Sequence, residues 1–273
     1  MNDSIGVLGC GWLGLPLAKH FVNQKHEVYG STTSKEKLEL LQDNDIHAYE
    51  ISISTSGVKG DIQGFLSNID ILIINLPPKL RSGTSESFVE KMKLLHLEIK
   101  KSAVLKIIFV SSTAVYGEVD GEVDGEVTET TVPKPSTESG RQLLECEQLF
   151  TQDDTIKTTI IRFGGLIGPS RHPVTMLSKR QNLTNGNNPV NLIHLDDCIH
   201  IISTIIANNY WNQIFNGVYP LHPTKKEYYT SEALKRGIPS PDYSGSSSDK
   251  FSKVVLSKSF LDKNHSFQTS ILS

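Results

Sequence analysis

From its first residues the chain alternates between short apolar runs and stretches in which apolar side chains recur every three to four positions. Residues 4–8 form a strand-length apolar run ending in glycines, and residues 12–23 follow with Leu13, Leu17, Ala18 and Phe21 on one helical side. Residues 27–30 read as a second strand. Ser34 is placed to cap a helix ending near Leu41, with Lys37 as an imperfect third residue. Residues 46–53 alternate as a strand. Residues 70–75 are apolar and β-branched, and Pro77 and Pro78 stop them. A long helix is predicted over 85–102, with Phe88, Met92, Leu95 and Ile99 along one face, and a buried strand over 105–110. This order implies a parallel sheet with helices on both faces, the doubly wound α/β class.

After Val110 the pattern loosens. Gly117-Glu-Val-Asp recurs at Gly121 and nearly at Gly125, and reads as a solvated loop extension. Calcium loops need oxygen ligands at set offsets that this repeat does not supply. A helix is predicted over 137–150 and a strand over 157–163. Residues 164–189 are rich in Gly, Pro, Asn and Ser, with helix around 174–179. A strand over 189–194 leads to a helix capped by Asp196 or Asp197 and ending near Asn208. A strand over 214–218, a helix over 224–236, a polar loop over 240–249, a short strand over 254–256 and a helix after Ser257 complete the pattern. The expected organisation is an α/β domain over 1–163, with further sheet elements from about 190–218. Residues 164–273 mainly form a small substrate lobe.

The 273 residues suffice for a sizeable core. A net charge of -3 gives no basic field for nucleic acid or an anionic membrane. Cys10, Cys146 and Cys198 are far apart and odd in number, which points away from a disulfide framework or metal site and toward the reducing cytoplasm. No leader-like segment opens the sequence. The longest apolar run, 69–76, is far too short to span a bilayer.

Gly9-Cys10-Gly11-Trp12-Leu13-Gly14 directly follows a predicted strand and opens a helix, the context in which a GxGxxG pattern becomes informative. Gly9 permits the tight turn, Gly11 lets backbone approach a pyrophosphate, and Gly14 lets helix and strand pack closely. The helix N-terminus adds unpaired N–H groups and a positive dipole end. NAD-binding forms place a carboxylate after the second strand, on the ribose hydroxyls. Here the stretch contains Ser31, Thr32, Thr33 and Lys35 and no carboxylate, so NADP is preferred over NAD. Leu76 and Pro77, where the strand over 70–75 ends, are expected to border the same cofactor.

Phe109-Val110-Ser111-Ser112-Thr113-Ala114-Val115-Tyr116-Gly117 resembles a strand motif of the extended short-chain dehydrogenases, the NAD-dependent epimerase/dehydratase group. The resemblance continues through Ile161–Pro169 and Asn191–Asp197 and covers nearly the whole chain. The GxGxxG spacing, Gly11-Trp12-Leu13-Gly14, Ser139-Gly140-Arg141 and the segment Gly168–Pro173 are similar to an atypical, YeeZ-like subgroup. The resemblance implies a Rossmann fold, a nicotinamide cofactor and a small polar substrate such as a nucleotide sugar. It also implies a substrate-oxygen contact at Ser112, and dimerisation through helices such as those predicted over 85–102 and 137–150.

The family's Tyr-x-x-x-Lys should open the helix after this strand. Aligned there, Tyr becomes Ser139 and Lys becomes Leu143. A phenol activated by an ammonium has a pKa tuned toward neutrality, a serine hydroxyl is a much poorer acid, and Leu143 replaces no part of the lysine. Tyr116 is an alternative acid/base or a wall residue. Arg141 is a phosphate contact or a solvated first-turn arginine. Arg171 and His172 are substrate contacts or loop packing. His194 with Asp196 and Asp197 is a ligand pair or dyad, or a strand-to-helix junction. Arg81 is a further candidate near the cofactor mouth. No Gly-x-Ser-x-Gly, HExxH or Walker A lysine occurs. Two functions follow: an NADP-linked oxidoreductase, epimerase or dehydratase, or a non-catalytic dinucleotide-binding sensor.

Overall fold

The computed structural model describes residues 3–78, 86–117, 125–245 and 253–272. Arg81 and residues 118–124 of the Gly-Glu-Val-Asp repeat lie outside them. The N-terminal pattern builds β1 (Ile5–Leu8), α1 (Gly14–Asn23), β2 (Val28–Thr32), α2 (Lys37–Gln42) and β3 (His47–Glu50). A hairpin of β4 (Ser52–Ser54) and β5 (Gly57–Lys59) and a short α3 (Ile62–Leu66) precede β6 (Ile71–Ile74), α4 (Phe88–Ile99) and β7 (Lys106–Ser112). A 3-10 turn (Thr113–Tyr116) leads to β8 (Glu126–Val127), α5 (Glu138–Thr151), β9 (Lys157–Phe163), β10 (Gly165–Ile167) and α6 (Val174–Leu177). The chain continues with β11 (Leu192–His194), α7 (Leu195–Ala207), β12 (Ile214–Gly217), α8 (Lys225–Lys235), β13 (Val254–Val255) and α9 (Lys258–Leu261).

Seven strands form one sheet in the order β12-β9-β7-β6-β1-β2-β3, and β1 pairs in parallel with both β2 and β6. From β1 the chain winds outward to β2 and β3, then crosses to β6 and β7. This reversal is the topological switch point of a Rossmann sheet, where a crevice opens beyond the carboxyl ends of the strands. β1 and β6 are buried along their whole length, which is why they read as continuous apolar runs.

The contacts divide the chain into two compact units. The first comprises residues 1–112, 137–161 and 199–214, and the second comprises 113–136, 162–198 and 215–273. In the first, α4 buries Phe88, Met92, Leu95 and Ile99, the face that the sequence predicts. In the second, Val174, Leu192, Tyr228, Tyr229 and Ile271 share a separate apolar core. No helix among the described residues is long and apolar enough to cross a membrane.

Several boundaries differ from the sequence reading. The predicted strand over 46–53 is two strands, because the β4–β5 hairpin turns the chain after Glu50. Ser34 does not cap α2: its hydroxyl donates to Glu36 at 2.5 Å, and the helix starts at Lys37. Asp196 and Asp197 do not precede α7 either: both lie inside its first turn, and the Asp197 carboxylate accepts the backbone N–H groups of Gln268 and Thr269 at 2.7 and 3.1 Å. Thr137 does cap α5, accepting from the Gly140 amide at 3.1 Å, and Thr224 with Glu227 forms a capping box on α8.

Candidate functional site

Within the first unit a cleft of about 510 Å³ opens at the switch point, in the range of ~300–1,000 Å³ usual for small-molecule sites. Its floor is the loop after β1. Gly9 has φ +104° and would drive a Cβ to 2.6 Å from the Asn75 carbonyl oxygen; Gly14 would drive one to 2.1 Å from the Gly9 oxygen. Both glycines are demanded by the protein's own packing. Gly11 is different, because a Cβ built there meets nothing within 4 Å. The gap it leaves faces outward, and Gly11 lines the cleft with Gly9 and Cys10.

The loop is pinned from β2. The Ser31 hydroxyl accepts the Gly9 amide at 2.9 Å, and the Ser31 carbonyl accepts the Cys10 amide at 2.8 Å. Ser31 is therefore buried, and Thr32 is buried with its hydroxyl accepting the Ser34 amide at 3.1 Å. Thr33 is exposed in the cleft lining. Lys35 is exposed but does not line the cleft, whereas Lys37, at the start of α2, does. Burial pushes the Cys10 thiol up to about 12, so it is an inert packing group. Leu13 is buried, Trp12 is half-buried at the mouth of α1, and Leu76 and Pro77 form a wall where β6 ends. Ile51, Ser52, Glu86 just before α4, and the α4 residues Phe88 and Lys91 complete the opposite side, with Lys91 paired to Glu86 at 2.6 Å.

Ser112 ends β7, half-buried, beside Ser111, whose hydroxyl donates to the buried Glu147 carboxylate of α5 at 2.6 Å. Ser139 lies in the first turn of α5, half-exposed. One turn on, Leu143 is buried at 4% exposure in the position the family fills with lysine. Arg141 points to solvent and pairs with Glu138 at 2.9 Å.

In the second unit, Tyr116 is 3% exposed; its hydroxyl donates to Asn216 at 2.8 Å and accepts from Arg162 at 2.9 Å. Burial pushes its pKa up, against the opposing pull of Arg162. Arg171 is exposed in a tight turn closed by paired backbone hydrogen bonds with Gly168. His172 is buried: Nδ1 accepts the Val174 amide at 3.2 Å, and Nε2 meets the Tyr228 hydroxyl at 3.0 Å. His194 lies 3.4 Å from Asp196, and no group of three or more metal-ligating side chains occurs among the described residues.

These features converge with sequence comparison. The profile of the NAD dependent epimerase/dehydratase family matches residues 5–216. The chain belongs to that family. It is 30% identical to Protein YeeZ of Escherichia coli K12 over 252 residues, spanning 92% of this chain and 90% of that protein. Solved structures at lower identity share the fold. UDP-glucose 4-epimerase of Thermotoga maritima, solved with UDP-glucose, is 17% identical with a TM-score of 0.78, covering 100% of this chain and 95% of that one. A UDP-glucuronic acid 4-epimerase variant from Bacillus cereus, in complex with a fluorinated UDP-glucuronic acid and NAD, is 18% identical with a TM-score of 0.76, covering 98% and 95%.

The matching family is described as NAD dependent, and the cleft has a feature that fits a dinucleotide: the open Gly11, in the loop that leads from β1 into α1. Sequence reasoning did not place Lys37 in the cleft lining, which depends on where α2 begins. It also missed Asn75, hidden at the end of an apolar run.

Proposed function

We propose that the chain binds a nicotinamide dinucleotide, NADP in preference to NAD, and acts with it as an oxidoreductase or epimerase on a nucleotide sugar or similar small polar substrate. One observation carries the reading: Gly11 is the loop glycine that the fold itself does not need. A residue without a side chain beside empty space is explained by a ligand whose backbone contact a Cβ would block. Gly9, Cys10, Gly11, Trp12, Leu13 and Gly14 hold the pyrophosphate, and Leu76 and Pro77 flank it. The 2′-phosphate contact falls to Thr33 and Lys37, because Ser31 and Thr32 are engaged inside the fold and Lys35 is off the cleft. When bound, the cofactor supplies hydride transfer.

Ser112 would hydrogen-bond the substrate oxygen, with Ser139 as the weaker proton carrier left at the family's tyrosine position. The hydrogen bonds of Tyr116 favour a wall role, and those of His172 favour packing. Arg171, exposed in the loop after β10, would contact the substrate in the lobe that residues 164–273 mainly form. The buried free cysteines agree with a reducing cytoplasm. Dimerisation through α4 and α5 belongs to the same proposal, and light scattering of the purified protein tests it.

A second reading, a dinucleotide-binding sensor without turnover, is favoured by Leu143, whose buried alkyl chain leaves no ammonium to activate a hydroxyl. Isothermal titration with NADPH, NADP, NADH and NAD at fixed salt is the test. Micromolar binding with preference for the phosphorylated pair supports the proposal, and no binding to any of the four overturns it. Turnover of a nucleotide-sugar panel then separates enzyme from sensor.

A further inference from the structure

The loop carbonyl of Gly9 is gripped from two sides. It accepts the Gly11 amide at 2.8 Å and the side-chain amide of Asn75, Nδ2, at 3.0 Å. Asn75 also donates its backbone N–H to the Leu8 oxygen at 3.0 Å, extending the β1–β6 pairing by one residue into the loop. The missing Cβ of Gly14 is what admits this arrangement, since one built there would stand 2.1 Å from the Gly9 oxygen and 3.0 Å from Asn75 Nδ2. Asn75 interrupts an otherwise apolar stretch, following the buried Ile71–Ile74 and preceding Leu76, and it lines the cleft.

We infer that Asn75 is a positioning residue for the dinucleotide phosphates, holding the Gly9 carbonyl turned into the protein. The inference rests on the dinucleotide reading above. A loop can present N–H dipoles to an anion only if its carbonyls point elsewhere, because a carbonyl oxygen facing a phosphate is repelled by it. The Gly11 amide alone gives the Gly9 oxygen one local partner within a flexible glycine turn. The Asn75 amide adds an anchor on a buried strand that the loop cannot carry with it. The residue must also be neutral. An aspartate would set an oxygen lone pair against the Gly9 oxygen and place a negative charge in the lining of a cleft that receives phosphates.

The test measures NADPH affinity by isothermal titration, together with the unliganded Tm, for the wild type, Asn75→Leu, Asn75→Gln and Asn75→Asp. Asn75→Leu removes the donor at similar volume and is expected to weaken NADPH about tenfold, the worth of one hydrogen bond to a positioned group. Asn75→Gln keeps a donor and is expected to retain most of the affinity. Asn75→Asp is expected to weaken binding by about 100-fold at low salt, with part of the loss recovered as salt screens the charge. Affinity is expected to follow the donor and the charge, not the Tm, so the Leu and Gln variants carry the test if the Asp variant does not fold. Wild-type affinity in both Asn75→Leu and Asn75→Asp overturns this inference alone. Absence of NADPH binding in the wild type overturns the functional reading and this inference together.

Discussion

Arg162 donates to the Tyr116 hydroxyl at 2.9 Å and holds its guanidinium 4.9 Å from the centre of the same ring. Both side chains are buried at 3% exposure. A buried guanidinium deprived of an acceptor is costly, so Tyr116→Phe is expected to destabilise the fold by about 1–3 kcal/mol. NADPH affinity is expected to stay unchanged. Denaturant midpoints and titration check the pair. Unchanged stability with a large loss of turnover would make Tyr116 an acid/base instead.

Gly11 and Gly14 separate ligand space from packing space within one loop. Gly14→Ala forces a Cβ against the Gly9 carbonyl at 2.1 Å and is expected to cost about 1–3 kcal/mol or more through overpacking. Gly11→Val enters open space without a positive φ, so the Tm is expected to hold while dinucleotide affinity falls by at least about tenfold. Thermal melts with and without NADPH distinguish the two outcomes.

Of the two lysines that follow β2, Lys37 borders the cleft and Lys35 does not. Lys37→Ala is expected to weaken NADPH by about 10- to 100-fold and leave NADH unaffected, since a charge-assisted contact to the 2′-phosphate is worth about 1.5–3 kcal/mol. Lys35→Ala is expected to change neither. Equal loss for both nucleotides in Lys37→Ala would remove it from the phosphate site.

His172 gives the second unit an acid-sensitive point. With Nδ1 accepting from Val174 and the Tyr228 hydroxyl donating to the Ile271 oxygen at 3.1 Å, Nε2 carries the proton and the ring is neutral. Burial lowers its pKa from 6.5 to about 4, helped by Arg236 and opposed by Glu232. Between these values the unfolded chain binds more protons, so the His172 contribution is complete above 6.5 and is lost as pH falls toward 4. The Tm is expected to fall more steeply over that window in the wild type than in His172→Gln, as calorimetry across the range would reveal. Asp153, held near 2 by Thr155 and His96, acts only at lower pH.

The parts of the fold that could be read in advance are those in which burial dictates composition. β1 and β6 lie inside a sheet, so they are written as unbroken apolar runs, and α4 and α5 carry a clear helical stripe. The β4–β5 hairpin, β8 and β10 span two or three residues each, too few for any periodicity to register. The glycine loop was legible as a strand-to-helix turn because Gly9 and Gly14 are demanded by its tight packing. Lys37 was not, because choosing between it and Lys35 requires knowing that Ser34 turns to Glu36 and delays α2. Asn75 was not, because a single polar residue at the end of an apolar strand looks like a strand terminus until its amide is seen on Gly9.

The Gly9–Asn75 bond joins residues 66 positions apart, and the strand that brings Asn75 in, β6, comes after the whole β1–β3 excursion. The glycine loop is thus a non-local structure: β1, its glycines and α1 are neighbours in sequence, but the Gly9 carbonyl takes its side-chain partner from β6. A contact of such long range is expected to form late in folding. The nucleotide then has nothing to grip in the transition state, and its binding energy falls on the unfolding limb. Stopped-flow traces with saturating NADPH are expected to show slower unfolding and an unchanged refolding rate, so that the ligand acts as a brake on loss of the fold and not as a template for its formation.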